Sequence, residues 1–109
     1  GSRFPAEGKE WWTKFMGRTV LSSQLGFIPA IACADLRADI ASIARIGCPT
    51  LAITTDQSHV ASVAEVRQWQ ESIPGSELVV LKNDSYHPAV TNADECVSAV
   101  RAFIMKHRL

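Results

Sequence analysis

Pro49-Thr50-Leu51-Ala52-Ile53-Thr54 decides the fold, because it reads as a strand buried on both faces. The run is short and apolar, and it opens on a proline, which the first position of a strand tolerates. A second run, Glu77-Leu78-Val79-Val80-Leu81-Lys82, has the same unbroken apolar character. Unbroken rather than alternating runs mark parallel strands with both faces covered. Between the two, Ser62 and Glu65 have capping-box spacing. They open a helix over 62–73 with Val63, Val66, Trp69 or Gln70, and Ile73 on one side, and Pro74-Gly75 ends it. A helix joining two strands returns the second in the same direction as the first, so a parallel pair is expected.

Further helices flank this unit. Asp35 is placed to cap a helix over 35–44 with Leu36, Ile40 and Ile43 on its apolar face, ending near Gly47. After the second strand, Asn92 and Glu95 repeat the capping-box spacing. They announce a helix over 92–107 with Cys96, Val100, Phe103 and Ile104 as its buried stripe. The class is α/β, a parallel strand pair flanked by helices. Two strands are too few for a stable sheet by themselves, and at least one must present an open edge beside apolar side chains. Other secondary structure or another chain is expected to complete the sheet.

The first third of the chain has a different character. Glu7 to Met16 carries Trp11, Trp12, Phe15 and Met16 among charges, and Gly17 is placed to stop it. Thr19 to Ala32 has Val20, Leu21, Leu25, Ile28 and Ile31 at near-helical spacing, interrupted by Gly26 and Pro29. Two or three short helices are expected here, apolar enough to cover something.

Composition narrows the function classes. A chain of 109 residues is at most one domain, and its hydrophobic fraction of 47% is that of a globular protein. Eleven basic residues balance eleven acidic ones without a Lys/Arg cluster, so neither nucleic acid nor an anionic membrane is an expected partner. No apolar run approaches the roughly 20 residues of a membrane span. Cys33, Cys48 and Cys96 lack C-x-x-C spacing and sit among apolar residues. They read as reduced core thiols, which favours the cytoplasm. No cluster has metal-ligand spacing, and no glycine-rich phosphate loop follows Ile53 or Leu81. No metal and no cofactor are expected.

His87 is the candidate catalytic residue. It lies in Asp84-Ser85-Tyr86-His87-Pro88, on a short loop between the second strand and the last helix. Open α/β sheets bind substrates beyond the carboxyl ends of their strands. An imidazole there suits a general base or acid near neutral pH.

Several motifs stand in a recognisable order: Asp35-Leu36-Arg37-Ala38-Asp39-Ile40, Ile46-Gly47-Cys48-Pro49-Thr50-Leu51-Ala52-Ile53, Ile73-Pro74-Gly75-Ser76-Glu77-Leu78, Tyr86-His87 and Phe103-Ile104. Together they resemble the C-terminal portion of α/β-hydrolase fold enzymes, in particular the lid-bearing esterase and lactonase branch that includes 3-oxoadipate enol-lactonase-like proteins. The resemblance implies that residues 1–33 are a lid-like helical segment and 34–109 the C-terminal part of the hydrolase core. It also implies that His87 is the triad histidine, although Tyr86 stands where a glycine usually precedes it. The triad acid normally follows the strand that begins at Pro49. In that register the aspartate position falls on Ser58 and the usual strand-end glycine on Thr55. Asp56, two residues early, is the acid candidate if the turn is reshaped. It equally fits a turn cap, and some members of the fold place the acid on another strand. Ser58 can bond an imidazole but cannot stabilise imidazolium by charge. His59 reads as a surface loop residue. Trp11, Trp12 and Phe15 either line the acyl pocket, as a lid does in this family, or simply pack the lid helix.

The nucleophile is missing. The family uses a G-x-S-x-G elbow, and none exists in these residues. Ser22-Ser23 lacks flanking glycines, and Ser85 lies on the histidine loop itself. The chain therefore reads as a fragment of a serine-type hydrolase, supplying the histidine and inactive alone. The parent would act on a small-molecule acyl substrate: an ester, a lactone or a related carbonyl compound. The expected partner is a second copy, forming a homodimer, or the missing N-terminal half. The alternative is a non-catalytic dimerisation or interaction module on a hydrolase-derived scaffold.

Overall fold

The computed structural model describes residues 5–18, 20, 22, 25, 30, 35 and 37–109. The element order is α1 (Ala6–Met16), α2 (Arg37–Ile46), β1 (Leu51–Thr55), α3 (Val63–Glu71), β2 (Glu77–Leu81), α4 (Pro88–Thr91) and α5 (Ala93–His107). The two strands are parallel, with Leu51 opposite Glu77 and Thr55 opposite Leu81. Helix α3 lies against both strands, while α4 and α5 lie against β1. This is an α/β arrangement, a two-stranded parallel sheet flanked by helices. The further short helices expected over 19–32, with Leu21, Ile28 and Ile31, fall mostly outside the described residues, as do Leu36 and Cys33.

Local chemistry sets the boundaries. Ser62 and Glu65 form the expected capping box. The Glu65 backbone N–H donates to Ser62 Oγ at 3.2 Å, and Glu65 Oε2 accepts the Ser62 backbone N–H at 2.8 Å. Those bonds hold the Glu65 carboxyl below its ordinary range. At α2, Asp35 accepts the Arg37 backbone N–H at 3.2 Å and pairs with its guanidinium. The pairing takes the Asp35 carboxyl down to about 2. Gly47 and Gly75 follow α2 and α3 with φ of +70° and +75°, the left-handed region that glycine enters without a Cβ penalty. At the far end of the sheet, Glu77 opens β2 and accepts from Lys106 Nζ, and lies 3.2 Å from His107 Nε2. Lys106 first, and His107 after it, lower the Glu77 carboxyl.

Burial is less complete than the sequence implies. The core comprises Ala52, Val66, Ile73, Leu81 and Phe103. In β1, Ala52, Thr54 and Thr55 are buried and Leu51 and Ile53 half-buried. In β2 only Leu81 is buried, and Val80 is 38% exposed, against the expectation of a strand covered on both faces. The stripe expected on α5 reduces to Phe103, because Val100 and Ile104 are each 41% exposed. The cause is common to both: neither strand has a second neighbour among the described residues. There is too little sheet for these side chains to cover. On α3, Gln70 rather than Trp69 turns inward, with its Nε2 bonded to Ser76 O and Oγ. The Asn92–Glu95 box does not form as expected. The Asn92 side chain caps no backbone amide; instead its Nδ2 donates to Glu95 Oε1 at 2.8 Å.

No helix among the described residues is long and apolar enough to cross a membrane.

Candidate functional site

The parallel register brings the carboxyl ends of β1 and β2 side by side, so the two loops that leave them are neighbours. Backbone bonds continue the ladder past the strands. Asp56 N–H donates to Leu81 O at 2.8 Å, and Gln57 N–H to Asn83 O at 3.0 Å. Residues 56–57 and 83 are thereby held together, and the chain between Asn83 and Pro88 forms a tight loop over the end of β1.

That loop is built from buried polar groups. Thr55 Oγ1 donates to Ser85 O at 2.5 Å. Ser85 Oγ in turn accepts the His87 N–H at 2.9 Å. Asn83 Oδ1 accepts the Asp84 N–H, and Asn83 Nδ2 donates to Asn92 Oδ1 at 2.7 Å. Among the described residues, every buried side-chain nitrogen and oxygen has a partner. Such closure is what a buried polar network needs if it is to fix a loop rather than destabilise it.

His87 stands at the N-cap of α4, half-buried, with Pro88 opening the helix behind it. Its imidazole is in contact with two other rings. Trp12 approaches from α1 with centroids 5.2 Å apart, and Tyr86 with centroids 4.3 Å apart. Behind Trp12 the rings continue, with Trp11 at 6.2 Å and Phe15 stacked on Trp11 at 4.7 Å. The structure thus brings Trp12 to His87, with Trp11 in contact with Trp12 and with Phe15, all three well exposed. The imidazole makes ring contacts and no hydrogen bond to a described residue.

Asp56 is placed differently. Its Oδ1 accepts the Asn83 N–H at 3.0 Å, and the carboxylate makes no hydrogen bond to the imidazole. It closes the junction between the two loops. Ser58 Oγ accepts the Val60 N–H at 3.3 Å, a local turn bond, and His59 is exposed. Neither cysteine in view is a core thiol. Cys48 is exposed, contrary to expectation, and Cys96 is half-buried with its thiol pushed up by burial and by the Glu95 charge. A raised thiol is a poor nucleophile. No three His, Cys, Asp or Glu side chains converge in a metal-holding group among the described residues.

Sequence reading gave Thr55, Ser85 and Asn92 other roles and passed over Asn83; together these four build the loop. The available signal was polar: a threonine where a strand enters the core, and an Asn-Asp-Ser run beside a histidine. A separate cleft lies between α2 and α3, lined by Arg37, Ile40, Glu65, Gln68, Trp69 and Ser72. None of these residues belongs to the loops carrying Asp56 and His87.

No family model matches the sequence, and neither curated proteins nor solved structures yield a match.

Proposed function

We propose that this chain supplies the proton-transfer histidine of a serine-type α/β hydrolase acting on an ester, lactone or related acyl substrate. The observation that carries the reading is the placement of His87. It stands at the carboxyl edge of a parallel strand pair, on a loop fixed by buried bonds, with ring nitrogens unoccupied by any described residue. In this reading His87 takes the proton from a serine Oγ as that oxygen attacks the acyl carbon, and then returns it to the leaving group. Trp12, in contact with the imidazole, and Trp11 and Phe15 on the same helix offer apolar surface to the acyl chain. These residues contain no G-x-S-x-G elbow, so the serine and the oxyanion amides come from other polypeptide. Asp56 keeps its bond to the Asn83 amide on Oδ1; to serve as the triad acid its carboxylate must also come within hydrogen-bond reach of the imidazole.

Nitrophenyl acyl esters test this reading. The 109-residue chain should show no saturable turnover. In a polypeptide that joins it to an elbow-bearing half, His87→Ala should lower kcat by about three orders of magnitude or more. Saturable turnover by the isolated chain would refute incompleteness. A loss below about tenfold would refute the role of His87.

A second reading is favoured by a different observation. Both strands lack a second neighbour among the described residues, and Val80, Val97, Val100, Ile104 and Met105 are exposed. A non-catalytic dimerisation module would use these edges and faces to join a second copy.

A further inference from the structure

We propose that Thr55 is a positioning residue for His87, acting through Ser85. Its purpose rests on the reading of His87 as the proton-transfer group; its geometry does not.

Thr55 is the most buried residue described, at 1% exposure, and Ser85 follows at 2%. The Thr55 hydroxyl crosses from the end of β1 to the Ser85 carbonyl at 2.5 Å. The Ser85 hydroxyl then accepts the His87 amide at 2.9 Å. Two hydroxyls therefore link the sheet to the histidine backbone. The other ties between the loops, from Asp56 and Gln57, reach only Leu81 and Asn83. Among the bonds from β1 and the loop that follows it, that of Thr55 reaches furthest along the histidine loop.

Strand formation does not require the hydroxyl. Valine has nearly the same shape and equal or better strand preference. A buried hydroxyl is favourable only when bonded, and here its partner is the loop carbonyl. His87 stands before Pro88, which already disfavours helical backbone there. The Thr55–Ser85 link fixes the loop that carries it. It places the imidazole against Trp12 and Tyr86 without help from a carboxylate.

Ring-current shifts report the placement directly. With 13C-labelled histidine in the full chain, the His87 ring signals are assigned by His87→Gln. Thr55→Val should move them toward the positions of an exposed histidine, as contact with Trp12 and Tyr86 loosens. Thr55→Ser keeps a hydroxyl and should leave them in place. Ser85→Ala removes the acceptor of the His87 amide and should move them as Thr55→Val does. His107, whose ring lies 4.5 Å from Phe103 at the other end of the sheet, is the internal control and should stay put in all three. Unmoved His87 signals in Thr55→Val, equal movement of His107, or failure of Thr55→Ser to preserve the wild-type shifts would each overturn the proposal. Should Thr55→Val fail to fold, Ser85→Ala decides the second link and Thr55→Ser the first. If instead His87→Ala leaves the joined enzyme active, the functional reading falls while the placement result stands.

Discussion

Asn92→Ala should destabilise the chain more than its small change in volume implies. Asn83 and Asn92 are buried at 6% and 9% exposure, and Asn83 Nδ2 donates to Asn92 Oδ1 at 2.7 Å. Truncation leaves that amide buried without an acceptor, which costs about 1–3 kcal/mol. The other losses are smaller. Thr91 Oγ1 gives up its 3.0 Å bond to Asn92 but retains the His87 carbonyl at 3.4 Å. Glu95 is exposed and exchanges its bond from Asn92 for water. The expected total is about 2 kcal/mol, a large share of the ~5–15 kcal/mol that holds a typical domain folded. With a urea slope of about 1–3 kcal/mol/M, the denaturation midpoint should fall by roughly 1 M. Asn83→Ala and the double variant complete a cycle, and the coupling should reach about 1 kcal/mol because both changes break one bond. A midpoint shift below about 0.2 M, or an additive cycle, would show that this pair does not hold the loop.

Phe103→Ala should cost about 3 kcal/mol and Val100→Ala under about 1, since only Phe103 is buried; equal losses in urea melts would contradict the observed packing. Glu77 has a lowered folded pKa, so its contribution is complete above its ordinary value of 4.5 and is lost as pH falls through the lowered value. Glu77→Gln should therefore lower the midpoint at about pH 7 and converge with the wild type as pH falls through that lowered value; a difference that stays constant into acid would argue against the Glu77 pairing. Gly75→Ala should cost about 1 kcal/mol through its φ of +75° alone, because an added Cβ meets nothing within 4 Å; an unchanged melting temperature would mean the turn relaxes. Sedimentation at micromolar concentration should find a dimer that buries the exposed strand edge and apolar helix faces, and a stable monomer with cooperative unfolding would rule that out.

Periodicity and capping chemistry made most of the fold legible. The Ser62–Glu65 box and the Pro49 and Glu77 runs locate α3 and both strands to within a residue or two, because local bonds and local apolar runs determine them. Burial was less legible. The unbroken run Leu78-Val79-Val80 promises two covered faces, but cover depends on neighbouring strands, which the run itself does not specify. The histidine loop was half legible. His87 stands out by residue type, yet the groups that hold it meet across about 30 residues of chain, as Thr55 and Ser85 do. Asn92 shows how spacing misleads. It has the right interval to Glu95, but Asn83 claims its carbonyl oxygen and turns the side chain into the core.

The two ends of the sheet are fastened by different forces. At the start of β2, Glu77 is tied to Lys106 by charge in the presence of solvent. At the other end, Thr55, Ser85, Asn83 and Asn92 are tied by neutral bonds shielded from it. Dissolved ions screen the first kind and scarcely touch the second. Raising the ionic strength therefore loosens the junction between the last helix and β2 and leaves the histidine loop as it was. Salt becomes a means of softening the scaffold from the end remote from His87.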